Sequence, residues 1–262
     1  IKCFGHGHKH IDHDDLTYEN SYQSFKLCYD LMTQWGMNPR TYAYPGGSGK
    51  KSHTQKANKD AGFIAARGAY GRSQSEKFYV CPDDVKEPEN WYFLPCVVMG
   101  KSIYQSENCN SNEEVIPYVE ENKKRGSWIT FMYHSIGLPG NWAYYPMEEF
   151  KKDLDYYKNS NQWIGNMDNV VCYIYSRNSF TYKITRSNNT KWHYFVELID
   201  GFDNHKFDQE LTLNFSFDSE VEFKSIEFEV SENNIKTFEL TDNKVSINVL
   251  PDEKLHGFKL NL

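Results

Sequence analysis

The spacing of apolar residues changes along the chain, and this change limits the fold more than any other feature. Up to about residue 177, helical patterns alternate with short apolar runs, and helices are predicted over about 17–35, 52–61, 112–125, 146–159 and 168–175. Beyond that point, short alternating runs separated by turn residues predict strands alone. The sequence therefore predicts an α/β domain over residues 1–178 and a small all-β sandwich over 179–262, with the boundary between Arg177 and Ser187.

One apolar run in the first domain indicates a buried strand. Residues 128–133 read Trp-Ile-Thr-Phe-Met-Tyr, lie between two predicted helices and are followed by His134. A strand that is apolar on both faces is typical of a parallel sheet or a (β/α) barrel, because helices cover both sides of such a sheet. Shorter strands are predicted at 40–44, which ends at a Pro-Gly-Gly turn, and at 63–67.

Composition excludes several classes of function. The net charge is −7, and the densest basic run, 123–125, lies beside acidic residues, so no basic stripe is available for nucleic acid. No apolar run approaches the length of a membrane span. Aromatic residues make up 16% of the chain, which fits a carbohydrate ligand, although core packing accounts for most of them.

Cysteines and glycosylation motifs bear on the compartment. The six cysteines are an even number without Cys-x-x-Cys spacing, so a disulfide framework is one interpretation, with its connectivity open. Asn-x-Ser/Thr motifs at Asn188 and Asn214 are compatible with secretion. We therefore expect an extracellular or cell-surface protein.

A histidine cluster near the start of the chain is the first candidate site. Four of the nine histidines fall within residues 6–13, and neutral imidazole is the commonest metal ligand in proteins. His6 and His10 are four residues apart and can converge on one ion from a helical turn or a tight loop. If the segment is extended, His6, His8 and His10 share a face instead. The alternative to a metal site is a solvated histidine-rich turn.

Three motifs occur in an order that resembles the polysaccharide deacetylases of carbohydrate esterase family four, the NodB homology domain. The spacing of His6 and His10 matches that family's His-Ser/Thr-x-x-His motif. Residues 40–47 resemble its strand leading into Pro-Tyr/Gly-Gly, and Phe131 to His134 resembles its Leu-x-His motif. The resemblance covers about residues 1–177. It implies a distorted (β/α) barrel for the first domain.

The resemblance also implies a function and roles for individual residues. The protein would be a metal-dependent hydrolase that removes N- or O-linked acetyl groups from a polysaccharide or oligosaccharide. His6 and His10 would hold a divalent metal, with zinc the expected ion and His8 and His13 outside its first shell. His134 would be the general acid, and the backbone N–H of Gly46 would help to hold the oxyanion. Arg67 would stand near the site, or else be a surface arginine at a strand end.

This chain departs from the family at its first motif. The family's Thr-Phe-Asp-Asp strand, which supplies the catalytic base and a third metal ligand, should lie several tens of residues before His6. The predicted barrel is therefore partial. We expect the active protein to have a segment before Ile1 with a strand that ends in two aspartates. If residues 1–262 are fully active alone, Asp12, Asp14 or Asp15 becomes the expected third ligand.

Two other functions remain open at this stage. One is a non-catalytic carbohydrate-binding protein on a degraded deacetylase barrel. The other is a metal-binding or scaffold protein whose histidines are unrelated to sugars. The β-sandwich is expected to contribute stability or polymer binding and no catalytic residue. The sequence predicts neither the polymer nor the oligomeric state.

Overall fold

The computed structural model describes residues 3–69, 76–101, 109–187 and 192–262. The chain divides into two compact units, Ile1–Asp168 and Asn169–Leu262. The domains predicted from sequence, 1–178 and 179–262, place the division ten residues later. The predicted glycosylation motif at Asn188 lies outside the described residues.

The first unit alternates helices with short strands. Its helices are α1 (Tyr18–Gln34), α2 (Ser52–Asp60), α3 (Asn112–Arg125) and α4 (Met147–Asn159), and α5 (Met167–Ser179) begins at its end. Its strands are β1 (Thr41–Ala43), β2 (Ala65–Arg67), β3 (Val97–Met99), β4 (Phe131–Tyr133), β5 (Ser135–Ile136) and β6 (Tyr144–Tyr145). The mixed α/β class predicted for this part of the chain is confirmed.

The short strands pair in parallel, in chain order. β1 pairs with β2 and β3 with β4, both in parallel. Parallel bridges join Gly5 to Tyr42 on one side of β1, and Arg67 to Leu94 beyond β2. Helices α1, α2 and α3 form the intervening connections, as parallel pairing requires. The carboxyl ends of neighbouring strands therefore meet at one edge. Within the described ranges the strands do not close into a barrel.

Helix α1 forms where its sequence places a cap and an apolar stripe. The Thr17 hydroxyl accepts a hydrogen bond from the Asn20 N–H, which confirms the predicted start of the helix. The buried side chains of Phe25, Cys28 and Met32 follow helical spacing and pack on a core that includes Tyr42 of β1. This packing holds α1 against β1, the strand to which the histidine cluster is joined.

The expected burial of the apolar run at 128–133 is wrong. Only Phe131–Tyr133 form a strand, and each of its residues is half-buried. The Tyr133 hydroxyl donates a hydrogen bond to the buried carboxylate of Asp153 of α4. The strand that is buried at every position is β3.

The second unit contains only strands after α5. These are β7 (Thr181–Arg186), β8 (His193–Ile199), β9 (Leu211–Ser216), β10 (Ser225–Ser231), β11 (Asn234–Glu239), β12 (Lys244–Val249) and β13 (Leu255–Asn261). Five of them form an antiparallel sheet in the order β11-β10-β13-β8-β7, and β12 pairs with β9. Residues from both sheets share one core, as a β-sandwich requires. Strand β7 occupies the stretch in which the domain boundary was predicted.

Two further expectations concern cysteines and membranes. All six cysteines lie in the described ranges and none of them forms a disulfide, so the disulfide framework that the sequence left as one interpretation is not seen.

In the part of the chain that the structure describes, no helix has both the length and the apolar character needed to cross a membrane.

Candidate metal centre

The histidine cluster lies on a loop that is anchored to the edge of β1. The Gly5 N–H donates to Thr41 O, and the Ala43 N–H donates to Gly5 O at 2.7 Å, so the chain enters the cluster as an additional parallel strand. Gly7 then adopts a φ of 88°, and a Cβ at this position would lie 2.8 Å from Lys9 O. Only glycine fits such a turn. The tight loop, not a helical turn or a strand, brings His10 back towards His6.

The His6 and His10 rings form a close pair. Their centroids are 5.1 Å apart and their planes are inclined by 76°. Two imidazoles that each bind a tetrahedral zinc through one nitrogen would have centroids about 5 Å apart, given Zn–N bonds of about 2.0 Å. Both histidines are exposed. Their separation therefore fits a shared divalent ion.

A backbone carbonyl orients one of these rings. The Nδ1–H of His6 donates to Ala43 O at 2.7 Å, because a carbonyl oxygen can only accept. Nε2 of His6 is then the unprotonated nitrogen that can bind a metal. Metal-binding histidines usually donate their other N–H to such an oxygen, which fixes the tautomer and raises the basicity of the ligand.

Neighbouring groups shift the pKa of His6. Although the side chain is exposed, partial desolvation of its ring by the surrounding chain lowers the pKa of His6 from its ordinary value. The Ala43 carbonyl raises this pKa, and the charges of His10, Arg67 and His134 lower it. Arg67 ends β2 and His134 follows β4. Desolvation and these positive charges therefore favour the neutral ring that a metal requires.

His134 and Arg67 each have defined neighbours. A hydrogen bond of 2.9 Å joins His134 Nδ1 to Ser135 Oγ, and the Trp142 ring lies edge-on to the imidazole with centroids 4.7 Å apart. Arg67 is half-buried, and its Nη1 donates to Cys96 Sγ at 3.8 Å. Both interpretations of Arg67, a residue near the site and a surface arginine at a strand end, stay open.

Gly46 lies in the turn that follows β1. It is the middle residue of the 3-10 turn Pro45–Gly47, has a φ of 62° and is exposed. No heavy atom lies within 4 Å of the place where its Cβ would stand. Its position three residues after Ala43 keeps its backbone at the same edge of the sheet as His6.

A third protein ligand does not join the histidine pair within the described ranges, where no group of three His, Cys, Asp or Glu residues could hold a metal. The Asp14 carboxylate accepts the N–H groups of Lys50 and Lys51, just before α2, and its conditional role as a third ligand stays a prediction. Asp12 accepts the N–H of Asp14 at 2.8 Å. The two imidazoles therefore fit a divalent ion only as part of a larger ligand set.

Another histidine of the cluster, His13, packs against α1. His13 is fully buried, stacks on Phe25 at 4.2 Å and contacts Ser24 Oγ through Nε2 at 2.9 Å. His8 is one of the groups whose charge lowers the pKa of His13. His13 therefore anchors the loop to α1, as expected for a residue outside a metal's first shell.

Sequence reasoning missed two partners of the site, Ala43 O and Ser135 Oγ. A backbone carbonyl has no side-chain signature, whereas Ser135 could have been noticed because it directly follows His134. No family model, curated protein or solved structure matches this sequence. The geometry of the site therefore carries the functional argument.

Proposed function

We propose that the first unit is a metal-dependent deacetylase that acts on an acetylated polysaccharide or oligosaccharide. The observation that supports this most is the close pairing of His6 and His10, whose ring centroids are 5.1 Å apart. The carbonyl of Ala43 orients the His6 ring. Parallel strands that carry functional residues at their carboxyl ends are typical of (β/α) barrels. A distorted, partial barrel of this kind is the fold that we propose for the first unit.

The proposed roles follow from the chemistry of each group. His6 and His10 hold the metal through ring nitrogens. When bound, zinc lowers the pKa of a coordinated water to about 7 and polarises the acetyl carbonyl. His134 holds the proton that the leaving amine or alcohol needs. The Gly46 N–H and the positive charge of Arg67 stabilise negative charge on the acetyl oxygen.

A third ligand and a base are also required. Catalytic zinc sites normally have three protein ligands. His6 and His10 supply two of them, so one ligand is missing. We propose that an aspartate outside the described residues completes the set, as the resemblance to carbohydrate esterase family four implies. The same carboxylate motif would take the proton from the water.

The saccharide is proposed from the apolar surface beside His134. Trp142 is 41% exposed and lies against the His134 ring. An exposed indole next to a proton donor offers a sugar ring a face on which its C–H groups can pack. Such a substrate fits the extracellular or cell-surface location that we propose.

A second candidate function is a non-catalytic carbohydrate-binding protein. It is favoured by the two-histidine set, since the described residues add no third ligand. A metal in such a protein would be structural, or absent.

One assay separates the two candidates. The protein isolated from its natural source is incubated with zinc and either acetylated xylan or chitopentaose, and the released acetate is measured. We expect release that His134→Ala abolishes and that His205→Ala, a change at an exposed histidine of the second unit, leaves intact. Saccharide binding without acetate release would favour the non-catalytic protein and would contradict the deacetylase.

A further inference from the structure

A notch interrupts the outer face of the five-stranded sheet in the second unit. Phe195 of β8 lies opposite Gly257 of β13, and the Gly257 N–H donates to Glu229 Oε2 of β10 at 3.3 Å. These residues alternate with buried ones such as Val196 and Phe258, so they lie on the face away from the core. Because Gly257 has no side chain, the centre of this three-strand row is open.

Three different side chains converge on the opening. The place where a Cβ of Gly257 would stand lies 3.6 Å from Glu229 Oε2, 3.7 Å from His193 Nε2 and 3.7 Å from Phe195 Cε1. The His193 and Phe195 rings are 5.0 Å apart and tilted by 43°. All four residues are partly exposed. A carboxylate, an imidazole and an aromatic ring are therefore accessible from one point.

The polar side chains of the notch have hydrogen-bonding positions that other residues do not use. Glu229 accepts two backbone N–H groups, from Asn233 and Gly257, whereas a carboxylate offers about four acceptor positions. The ring nitrogens of His193 have no hydrogen-bond partner among the described residues. Imidazole can donate at one nitrogen and accept at the other. The notch can thus exchange hydrogen bonds in both directions with a ligand.

We propose that this notch, made of His193, Phe195, Glu229 and Gly257, binds one sugar residue of a saccharide chain. The Phe195 ring packs on the C–H face of the sugar, while Glu229 and His193 bind its hydroxyl groups. A divalent cation fits less well, because His193 and Glu229 are two ligands where three or more are usual. The choice of a saccharide rests on the proposed function, but the notch belongs to the second unit and takes no part in the chemistry.

Variants of the notch test the proposal in the full natural protein. His193→Ala removes one hydrogen-bonding group, and its matched control is His205→Ala. Gly257→Leu fills the notch, whereas Gly257→Ala is its control, since the added methyl would make only ordinary contacts at 3.6–3.7 Å. Thermal unfolding identifies variants that remain folded.

The measurements are binding to acetylated xylan and to chitopentaose by calorimetry, and acetate release from a small acetylated monosaccharide. We expect His193→Ala and Gly257→Leu to weaken binding of one polymer about 10-fold, equivalent to about 1.4 kcal/mol, without changing turnover of the monosaccharide. Unchanged polymer binding in folded His193→Ala protein would overturn the proposal, as would failure of the wild type to bind either polymer. Absence of turnover in every variant, with the binding difference retained, would contradict the deacetylase and leave the notch supported.

Discussion

The Nδ1–H of His6 donates a hydrogen bond to the carbonyl oxygen of Ala43, 2.7 Å away. Ala43 is the last residue of β1, so the end of a strand fixes the tautomer and the orientation of a candidate ligand. The acceptor is a backbone atom, and no side-chain substitution at position 43 removes it. If His6 binds a metal as we propose, the pairing with β1 orients its ring beforehand.

Replacing His134 tests its role as the general acid. We expect His134→Ala to lower the rate of acetate release about 10²- to 10⁴-fold, the usual contribution of a positioned proton donor. Zinc affinity should not change, because His134 is not one of the proposed ligands. Steady-state kinetics and a zinc titration on the same variant check both parts, and loss of zinc binding would contradict the assigned role.

Burial of His13 predicts a pH-dependent stability. Burial is the main reason why its pKa falls from 6.5 to about 4. The unfolded chain takes up a proton below pH 6.5 but the folded chain does not until about pH 4, so the free energy of unfolding falls as the pH drops through this window. The loss is on the order of 3 kcal/mol.

Urea unfolding between pH 4 and 7 measures this dependence. The variant His13→Phe, which keeps an aromatic ring against Phe25 and cannot titrate, should lose most of the slope. A slope equal to that of the wild type would show that other groups cause it.

Asp14 is expected to matter for stability rather than for metal binding. Its carboxylate accepts two backbone N–H groups at the start of α2, where a negative charge also interacts favourably with the helix dipole. Asp14→Ala should lower the free energy of unfolding by about 1–2 kcal/mol, because two part-buried N–H groups lose their acceptor. Asp15→Ala, at the exposed neighbouring carboxylate, is the control and should change it little. Equal effects in urea unfolding would contradict the capping role.

The sequence predicted those elements whose ends carry a local signal. Helix α3 was expected over 112–125 and is found there, because Gly126 adopts the left-handed conformation that ends it. Strand β7 was missed because it lies in the stretch interpreted as the domain boundary, although Tyr182 and Ile184 alternate there with polar residues. Its pairing with β8 provides the stabilisation that local sequence does not reveal.

The candidate site was predicted only in part, for a similar reason. The four-residue spacing of His6 and His10 is local and was visible in the sequence. The hydrogen bond between His6 and Ala43 joins residues 37 positions apart in the chain. The hydrogen bond between Asp14 and Lys51 spans the same separation. Contacts of this range follow from how strands and helices pack, so the partners of His6 and of Asp14 could be identified only in three dimensions.

A zinc titration of single-histidine variants tests the central claim most directly. The claim is that His6 and His10, and not His8, hold one divalent ion per chain. The natural protein is depleted of metal and titrated with zinc against a competing chelator. We expect one zinc per wild-type chain and an affinity reduced more than about 100-fold in His6→Ala and in His10→Ala, since outer-shell partners alone contribute about 10- to 100-fold. His8→Ala should bind as the wild type does, and a loss of zinc in His8→Ala with full binding in His6→Ala would contradict the claim.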